Sequence, residues 1–196
     1  IDPNTLRALR GYLDVAHRLG ILLAQWHSGG ACACRLTYRG QVTDENTRLL
    51  TAAFCAGLLE QALDEEVNIV NAEVLLRERG IELSESSRST SGVFSSAISA
   101  EIDCSGTIYR AEGTVFGNNM PRLIRLQEHR LEAYLDGNLL IFTHNDVPGI
   151  IGAIGTTLGK HQVNIAQMAV GRLGEAPGGE AIGVLNLDQV APKEAI

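Results

Sequence analysis

A group of polar residues in the last third of the chain could bind a small charged molecule. His144 and Asp146 stand two residues apart near the predicted end of a strand, and Asn164 opens the next strand. Amides at the start of the helix between these strands would lack intrahelical partners, so they attract a carboxylate, while Asp146 could pair with an ammonium group. These amides belong to Gly149, Ile150 and Ile151. Together the groups suit a small zwitterion.

Purely structural roles explain the same side chains, and spacing alone favours them. Asp146 would cap the helix, with Pro148 in its first turn, because aspartate is a common N-cap residue. Asn164 would then hold a turn, and His144 would be a solvated strand end. Both interpretations remain open at the level of residue spacing.

Glycine recurs every three to four residues in the predicted helix that follows Pro148. Each interior glycine costs roughly 1 kcal/mol relative to alanine, so the set predicts close backbone packing on the sheet or on a neighbouring chain. The pattern does not match the G-x-G-x-x-G fingerprint and therefore predicts no dinucleotide site. The glycines are Gly149, Gly152, Gly155 and Gly159.

Basic residues between positions 122 and 130 form a second candidate site, for an anion. Arginine side chains suit phosphate because their fork of donors matches its oxygens. The alternative, favoured by the residues alone, is a solvated basic edge that discourages pairing with another strand. The residues are Arg122, Arg125, His129 and Arg130, with Arg110 on a preceding strand.

Composition excludes several classes of protein. The 196 residues are 45% hydrophobic and carry 16 basic against 23 acidic side chains, a net charge of −7. This apolar fraction is too high for a disordered chain, and the acidic balance argues against nucleic acid as the main partner. Apolar runs fall short of the roughly 20 residues that span a bilayer, and no segment resembles a secretory signal. We expect a cytoplasmic protein with no membrane partner.

The four cysteines give only a weak metal signal. Cys32 and Cys34 are close together, but a C-x-C pair without a second cluster rarely binds metal. We therefore expect reduced and mostly buried thiols, and no metal site. The remaining cysteines are Cys55 and Cys104.

Hydrophobic periodicity predicts an α+β arrangement for residues 1–136, a sheet with helices grouped on one side. A long amphipathic helix over 3–27 suggests that the chain belongs to something larger. Further helices are predicted from a cap at 43–46 through 63 and over 68–79, the latter closed by Gly80. Predicted strands cover 31–39, 81–86, 93–104, 107–117, 123–126 and 131–135, the last two joined across His129-Arg130.

The pattern restarts after a turn at residues 136–138, which we take as the boundary between two domains. A strand over 139–142, a helix through Lys160 and a strand over 163–172 come first. A loop over 174–179, a strand over 181–188 and a helix starting at 191–194 follow. This order is the first five elements of a ferredoxin-like βαββαβ unit that lacks its last strand.

These motifs resemble a known pair of regulatory domains. The run from His144 to Gly152, with Gly159 and Val163-Asn164-Ile165, resembles the opening of an ACT domain, an amino-acid-binding module. Residues 64–83, with the Val67-Asn68-Ile69-Val70-Asn71-Ala72 element, resemble the intervening domain of D-3-phosphoglycerate dehydrogenases. The helix over 12–25 resembles the one that leaves their catalytic core.

The resemblance implies an intervening domain over 1–136 with its linker helix over 3–27, and a C-terminally incomplete ACT domain over 137–196. It implies L-serine, or a similar small amino acid, as an allosteric effector that contacts His144, Asp146 and Asn164. It also implies self-association, since related ACT domains pair side by side with effectors at the seam between subunits.

The same resemblance implies that this segment holds no catalytic residue and no cofactor. The parent enzyme would use NAD to oxidise 3-phosphoglycerate at the start of serine synthesis, with its catalytic residues upstream. Some members bind a phosphorylated anion in the intervening domain, and Arg122 lies near a matching position, although Tyr134 stands where an arginine is expected.

Two alternatives stay open. One is the regulatory part of an iron–sulfur L-serine dehydratase, which uses the same kinds of domain. The other is an amino-acid-sensing module with no enzyme attached.

Overall fold

The computed structural model describes residues 3–27, 29–63, 66–90, 92–117, 119–174 and 177–196. Contacts between Cα atoms divide the chain into two compact units, Ile1–Arg122 and Leu123–Ile196. The predicted α+β class is confirmed, because mainly antiparallel strands are combined with helices. The predicted domain boundary at residues 136–137 stays a prediction.

The first unit contains three helices and four strands in the described residues. In chain order they are α1 (Pro3–Trp26), β1 (Ala33–Gly40), α2 (Thr47–Leu59), α3 (Ala72–Glu78), β2 (Glu82–Arg88), β3 (Ser96–Cys104) and β4 (Thr107–Phe116). A 3-10 turn over Gln41–Asp44 follows β1. The strands lie in the order β2-β1-β3-β4, with β1 parallel to β2 and antiparallel to β3.

Alternating burial along β1 explains why this segment forms a strand of a half-covered sheet. Cys34, Leu36 and Tyr38 are buried, while the side chains between them are more exposed. The Tyr38 hydroxyl shares a hydrogen bond of 2.6 Å with Thr51 of α2, so the polar end of this buried ring is satisfied.

Helix α3 begins four residues later than the periodicity predicts, at Ala72. The reason is local: Asn71 Oδ1 accepts a hydrogen bond from the amide of Asn68, and Asn68 Oδ1 accepts one from Val70. Asparagine side chains that bond neighbouring amides compete with helix formation. The predicted terminator, Gly80, does adopt a left-handed conformation, with φ of 73°.

The second unit contains strands β5 and β6 and a three-stranded sheet with one helix. Its elements are β5 (Met120–Leu126, which begins at the end of the first unit), β6 (His129–Tyr134), β7 (Asn138–Asn145), α4 (Ile150–Lys160), β8 (Ile165–Arg172) and β9 (Glu180–Leu187). The turn between β5 and β6 lies at Gln127-Glu128, with φ of 52° at Gln127, so the predicted turn at His129-Arg130 is wrong. The predicted loop over 174–179 contains residues 175 and 176, which lie outside the described residues.

The sheet of the second unit has the order β7-β9-β8, and β9 is antiparallel to both neighbours. One face packs against α4 around a core that includes Leu158, Val163 and Leu185. On the other face β6 contacts β8 and β9. There Asn186 Nδ2 donates to the carbonyl of Tyr134 at 3.2 Å and to that of Asp136 at 2.9 Å.

The segment after β9 departs from the sequence prediction. A helix was expected to begin at residues 191–194, whereas the described structure has a 3-10 turn over Lys193–Ala195. Pro192 precedes this turn with φ of −66° and ψ of 152°, so it is extended, and only the three residues after it adopt a helical turn.

Glycines in the two units have different physical roles. A Cβ on Gly57 of α2 would lie 2.0 Å from the carbonyl oxygen of His17, and one on Gly20 of α1 would lie 2.3 Å from that of Phe54. At these two glycines the backbones of helices α1 and α2 are therefore in direct contact. A Cβ on Gly152, Gly155 or Gly159 of α4 would meet nothing within 4 Å, so the predicted packing of these glycines on their own sheet is wrong.

Gly57→Ala and Gly159→Ala form a matched pair that tests this difference. Alanine is intrinsically favoured over glycine inside a helix, so Gly159→Ala should leave the free energy of unfolding unchanged or raise it by up to about 1 kcal/mol. Gly57→Ala should lower it by roughly 1–3 kcal/mol, because the methyl group forces two helix backbones apart. Urea unfolding followed by circular dichroism measures both. Equal effects of the two substitutions would contradict a helix contact at Gly57.

Candidate functional site

The end of β7 and the end of β8 lie on either side of the central strand β9. His144 and Arg172 both stand directly opposite Ala181 in the register, and directly opposed residues of antiparallel strands share a face. Asp146 follows two residues after His144. The three polar side chains therefore belong to one corner of the sheet, which we call the acid corner.

Backbone hydrogen bonds fix Asp146 in this corner. Its amide donates to the carbonyl of Gly179 at 2.8 Å, and its carbonyl accepts from the amide of Gly178 at 2.9 Å. Both partners precede β9, so Asp146 is attached to the same strand that aligns His144 with Arg172. The position of the carboxylate is thus set by backbone contacts and not by the helix that follows.

The Asp146 carboxylate faces Arg172. Arg172 Nε lies 2.7 Å from Oδ2, and the Asp146 side chain is 19% exposed against 53% for Arg172. The Nε–H group is not directed at the oxygen, so the buried Oδ2 accepts no hydrogen bond from the described residues. The pair is therefore an ion pair with an unused acceptor, and an unsatisfied buried carboxylate oxygen favours any added donor.

The prediction that Asp146 caps α4 with Pro148 in its first turn is wrong. The N-cap of α4 is Gly149, with φ of 96°, and no side chain donates or accepts a capping hydrogen bond there. The left-handed glycine turns the chain between Pro148 and the helix, a conformation that a side chain would strain. Asp146 is consequently left outside the first turn.

Because Gly149 is the N-cap of α4, the amides without helical partners are shifted by one residue from the predicted Gly149, Ile150 and Ile151. Effector binding by the predicted amides stays a prediction. The first intrahelical hydrogen bond runs from Ala153 N to the carbonyl of Gly149, at 2.9 Å. The amides of Ile150, Ile151 and Gly152 come before it and have no carbonyl one turn earlier to bond. They lie at the positive end of the helix dipole, where an anionic group is stabilised.

His144 contributes an acceptor to the corner. Its Nδ1 lies 2.9 Å from the carbonyl oxygen of Asn145, and since a carbonyl only accepts, we assign the proton of the neutral ring to Nδ1. Nε2 is then an acceptor, and it is buried without a hydrogen bond in the described part of the chain. The ring lies 5.5 Å from that of Phe142, which covers Gly183 of β9.

Asn164 lies at the other end of the sheet. Strands β7 and β8 are both antiparallel to β9 and so run in the same direction; Asp146 follows the end of β7, whereas Asn164 precedes the start of β8. A strand rises about 3.3 Å per residue, so the eight residues of β8 separate the two ends by roughly 25 Å. Asn164 Nδ2 donates to Asp188 Oδ2 at 2.7 Å. One chain therefore does not bring Asn164 together with His144 and Asp146.

Arg172 is absent from the set of residues that the sequence singled out. No spacing rule links it to Asp146, because their proximity arises from the register of two strands with β9. The only signal in the sequence is a basic residue at the end of a predicted strand, which is too common to be specific.

The predicted anion cluster divides among different environments. Arg122 lies over the Phe116 ring at 5.5 Å, and Arg125 donates to Glu128 Oε2 at 3.2 Å. His129 is 95% buried, 3.6 Å from Glu180 Oε1, while Arg130 is exposed on the opposite face of β6. Arg110 pairs with Glu101 at 2.7 Å. Phosphate binding by these residues stays a prediction.

Comparison with known families decides what kind of chain this is. Residues 8–127 match the D-3-phosphoglycerate dehydrogenase intervening domain, which is more than half of the chain. This chain belongs to the D-3-phosphoglycerate dehydrogenase family. Residues 138–196 match the ACT domain, so the chain corresponds to the regulatory part of these dehydrogenases.

Curated D-3-phosphoglycerate dehydrogenases are similar over the whole chain. The enzyme of Archaeoglobus fulgidus is 30% identical and that of Methanocaldococcus jannaschii 34% identical, each over 100% of this chain and 37% of its own length. The Synechocystis enzyme is 34% identical over 98% of this chain and 34% of its own length. The chain thus spans about a third of the length of the dehydrogenases it matches.

The cysteines of this chain are free thiols, and three of the four are buried, with Cys32 exposed. Burial raises the pKa of the Cys34 thiol to about 12, helped by the nearby Cys104, and burial likewise raises that of Cys55 to about 12. Such thiols are poor metal ligands because the thiolate is the binding form. In the described ranges no group of three His, Cys, Asp or Glu side chains could hold a metal ion.

The helices were also compared with the length and hydropathy that a membrane span requires. Among the described residues, no helix is both long and apolar enough to cross a membrane.

The raised pKa values predict how the stability of this chain depends on pH. The ordinary thiol pKa of 9.0 applies to the unfolded chain, whereas Cys55 ionises near 12 when folded. Its contribution to stability is therefore complete below pH 9 and falls by roughly 1.4 kcal/mol per pH unit between 9 and 12. Burial also raises the pKa of Tyr38, so this side chain likewise lowers the free energy of unfolding as the pH rises.

Urea unfolding at pH 8 and pH 10.5 measures the effect. Cys55→Ala should lose less stability between the two pH values than the unsubstituted chain does. Cys32→Ala, at the exposed thiol, should keep the full loss. An identical loss in Cys55→Ala and in the unsubstituted chain would contradict a contribution from the buried thiol.

Proposed function

We propose that this chain is an amino-acid sensor that regulates a D-3-phosphoglycerate dehydrogenase, with L-serine as the effector. The observation that supports it best is the acid corner. Asp146 Oδ2 is buried and accepts no hydrogen bond from the described residues, and the helix that begins four residues later has amides without intrahelical partners. A fixed acid suits an ammonium group, and free amides suit a carboxylate.

The size and polarity of the corner favour a small hydroxylated amino acid. Ala181 forms the floor between His144 and Arg172, and the Phe142 ring lies over the neighbouring Gly183. His144 Nε2 is a buried acceptor that the hydroxyl of serine could satisfy. A bulky apolar side chain would leave that acceptor unsatisfied.

The parent enzyme, in this proposal, oxidises 3-phosphoglycerate with NAD in the cytoplasm, and its catalytic residues lie in another part of the protein. The relatives reported above are named D-3-phosphoglycerate dehydrogenases, which favours this parent over an L-serine dehydratase. Serine would act by binding one quaternary arrangement more tightly than another and so shifting the population between them.

The effector site is completed by a second copy of the chain in this proposal. Strand β8 is an edge of the sheet in the described residues, and Met168 and Val170 on it are 42% and 40% exposed. If two β8 strands pair antiparallel about a twofold axis, the start of one strand meets the end of the other. Asn164 of the second copy would then lie at the end that carries His144 and Asp146.

Titration calorimetry with the 20 common amino acids tests the effector. L-serine should release or absorb heat with the 196-residue chain, and Asn164→Ala should abolish the signal or weaken binding by about tenfold or more. Asp188→Ala breaks the same Asn164–Asp188 hydrogen bond but keeps the amide, so it should still bind. Asn46→Ala, at an exposed asparagine without a capping hydrogen bond, is the neutral control.

A preference for a bulky hydrophobic amino acid would contradict a serine site. The absence of heat with every amino acid would contradict a sensor of any kind. Binding that is lost in Asp188→Ala as strongly as in Asn164→Ala would show that only the hydrogen bond, and not the Asn164 amide as a ligand, is needed.

Light scattering at high micromolar concentration tests the seam between copies. The unsubstituted chain should be an oligomer, and Met168→Glu should shift it toward monomer because like charges would meet near the middle of the paired strands. Val93→Glu introduces the same charge at a side chain that is 91% exposed in the first unit, and it should have no effect. A monomer in the unsubstituted chain would contradict the shared site.

A further inference from the structure

We infer that Arg172 binds the carboxylate of the effector, exchanging its ion pair with Asp146 for one with the ligand. This inference rests on the proposed amino-acid site and adds to it a specificity-determining residue. Arg172 and Asp146 neutralise each other, with Nε 2.7 Å from Oδ2. A zwitterion replaces this single pair by two: its ammonium group pairs with Asp146, and its carboxylate pairs with Arg172, which supplements the free amides at the start of α4.

The register places Arg172 where a ligand held by Asp146 would meet it. Arg172 and His144 flank Ala181 on the same face of the sheet. Neighbouring strands are about 4.8 Å apart, so the two Cα atoms are separated by roughly 10 Å, a gap that a small amino acid and two side chains can span. Ala181, which lies between them, is fully buried, whereas the Arg172 side chain is 53% exposed and so accessible to a ligand.

The existing ion pair is suited to exchange. Arg172 is 53% exposed, and an ion pair with so much solvent access contributes little stability. Its Nε–H does not point at Oδ2, which therefore lacks a hydrogen bond that an ammonium group would supply. In the part of the chain that the structure describes, the guanidinium has no other polar partner. Its two Nη groups can therefore donate hydrogen bonds to both oxygens of a carboxylate.

Exchange of this kind requires both charges on the ligand. An amine without a carboxylate would displace Arg172 from Asp146 and leave the guanidinium without an anionic partner. A carboxylate without an amine would draw Arg172 away and leave Asp146 with an uncompensated charge, which is unfavourable at a side chain that is only 19% exposed. The geometry thus accounts for selection of α-amino acids over simpler ions.

Calorimetry on the 196-residue chain tests the inference with three probes: L-serine, ethanolamine, which lacks the carboxylate, and 3-hydroxypropanoate, which lacks the amine. The unsubstituted chain should bind L-serine and neither of the others at the same concentration. Arg172→Gln should weaken L-serine binding by about tenfold or more, because a charge-assisted contact is lost. Arg172→Lys keeps the charge without the fork and should be intermediate.

The affinity for ethanolamine distinguishes a ligand-binding role of Arg172 from a purely structural one, which would leave this affinity unchanged. With Arg172→Gln the acid is no longer covered by a guanidinium, so ethanolamine should bind more tightly than it does to the unsubstituted chain while L-serine binds less tightly. Arg77→Gln removes an exposed arginine that pairs with Glu73 in α3, and it should change neither affinity.

The outcomes separate the possible roles of Arg172. Unchanged L-serine affinity in Arg172→Gln would overturn the inference and leave the proposed sensor intact. Tighter L-serine binding would also overturn it, since Arg172 would then only block the site. If the unsubstituted chain bound no amino acid, the proposed function would fail and this inference with it.

Discussion

The candidate site depends on the pairing of β9 with both of its neighbours. Because β9 is antiparallel to β7 and to β8, a single residue, Ala181, aligns His144 on one side with Arg172 on the other. The same strand is preceded by Gly178 and Gly179, whose backbone groups hold Asp146. If the pairing in either ladder shifted by one residue, a polar side chain would lie on the opposite face and the acid corner would not form.

Charge and burial act against each other in this corner. A largely buried carboxylate is unfavourable unless it is compensated, and Arg172 compensates Asp146 from a half-exposed position and with poor hydrogen-bond alignment. The corner is therefore stable enough to fold and still able to gain from a better partner. An added donor at the buried Oδ2 would therefore lower the free energy of this corner.

Local sequence patterns predicted the elements well where the pattern and the tertiary contacts agreed. The helix over 3–27 and the strand over 107–117 were predicted within a residue of α1 and β4. Predictions failed where side chains or special backbone conformations competed with the regular pattern. Asn68 and Asn71 shorten α3, Gly149 removes Asp146 from its predicted capping role, and the expected helix near 191–194 is only a 3-10 turn.

The sequence by itself determined the fold class, the family resemblance and the presence of His144, Asp146 and Asn164 as polar positions at element ends, because these follow from periodicity and from motifs within short stretches. Only the tertiary structure decided which of them meet. It joined Asp146 to Arg172 and put Asn164 at the far end of the same sheet. The physical reason is that strand direction and register are set by contacts between segments distant in sequence, and no local pattern encodes them.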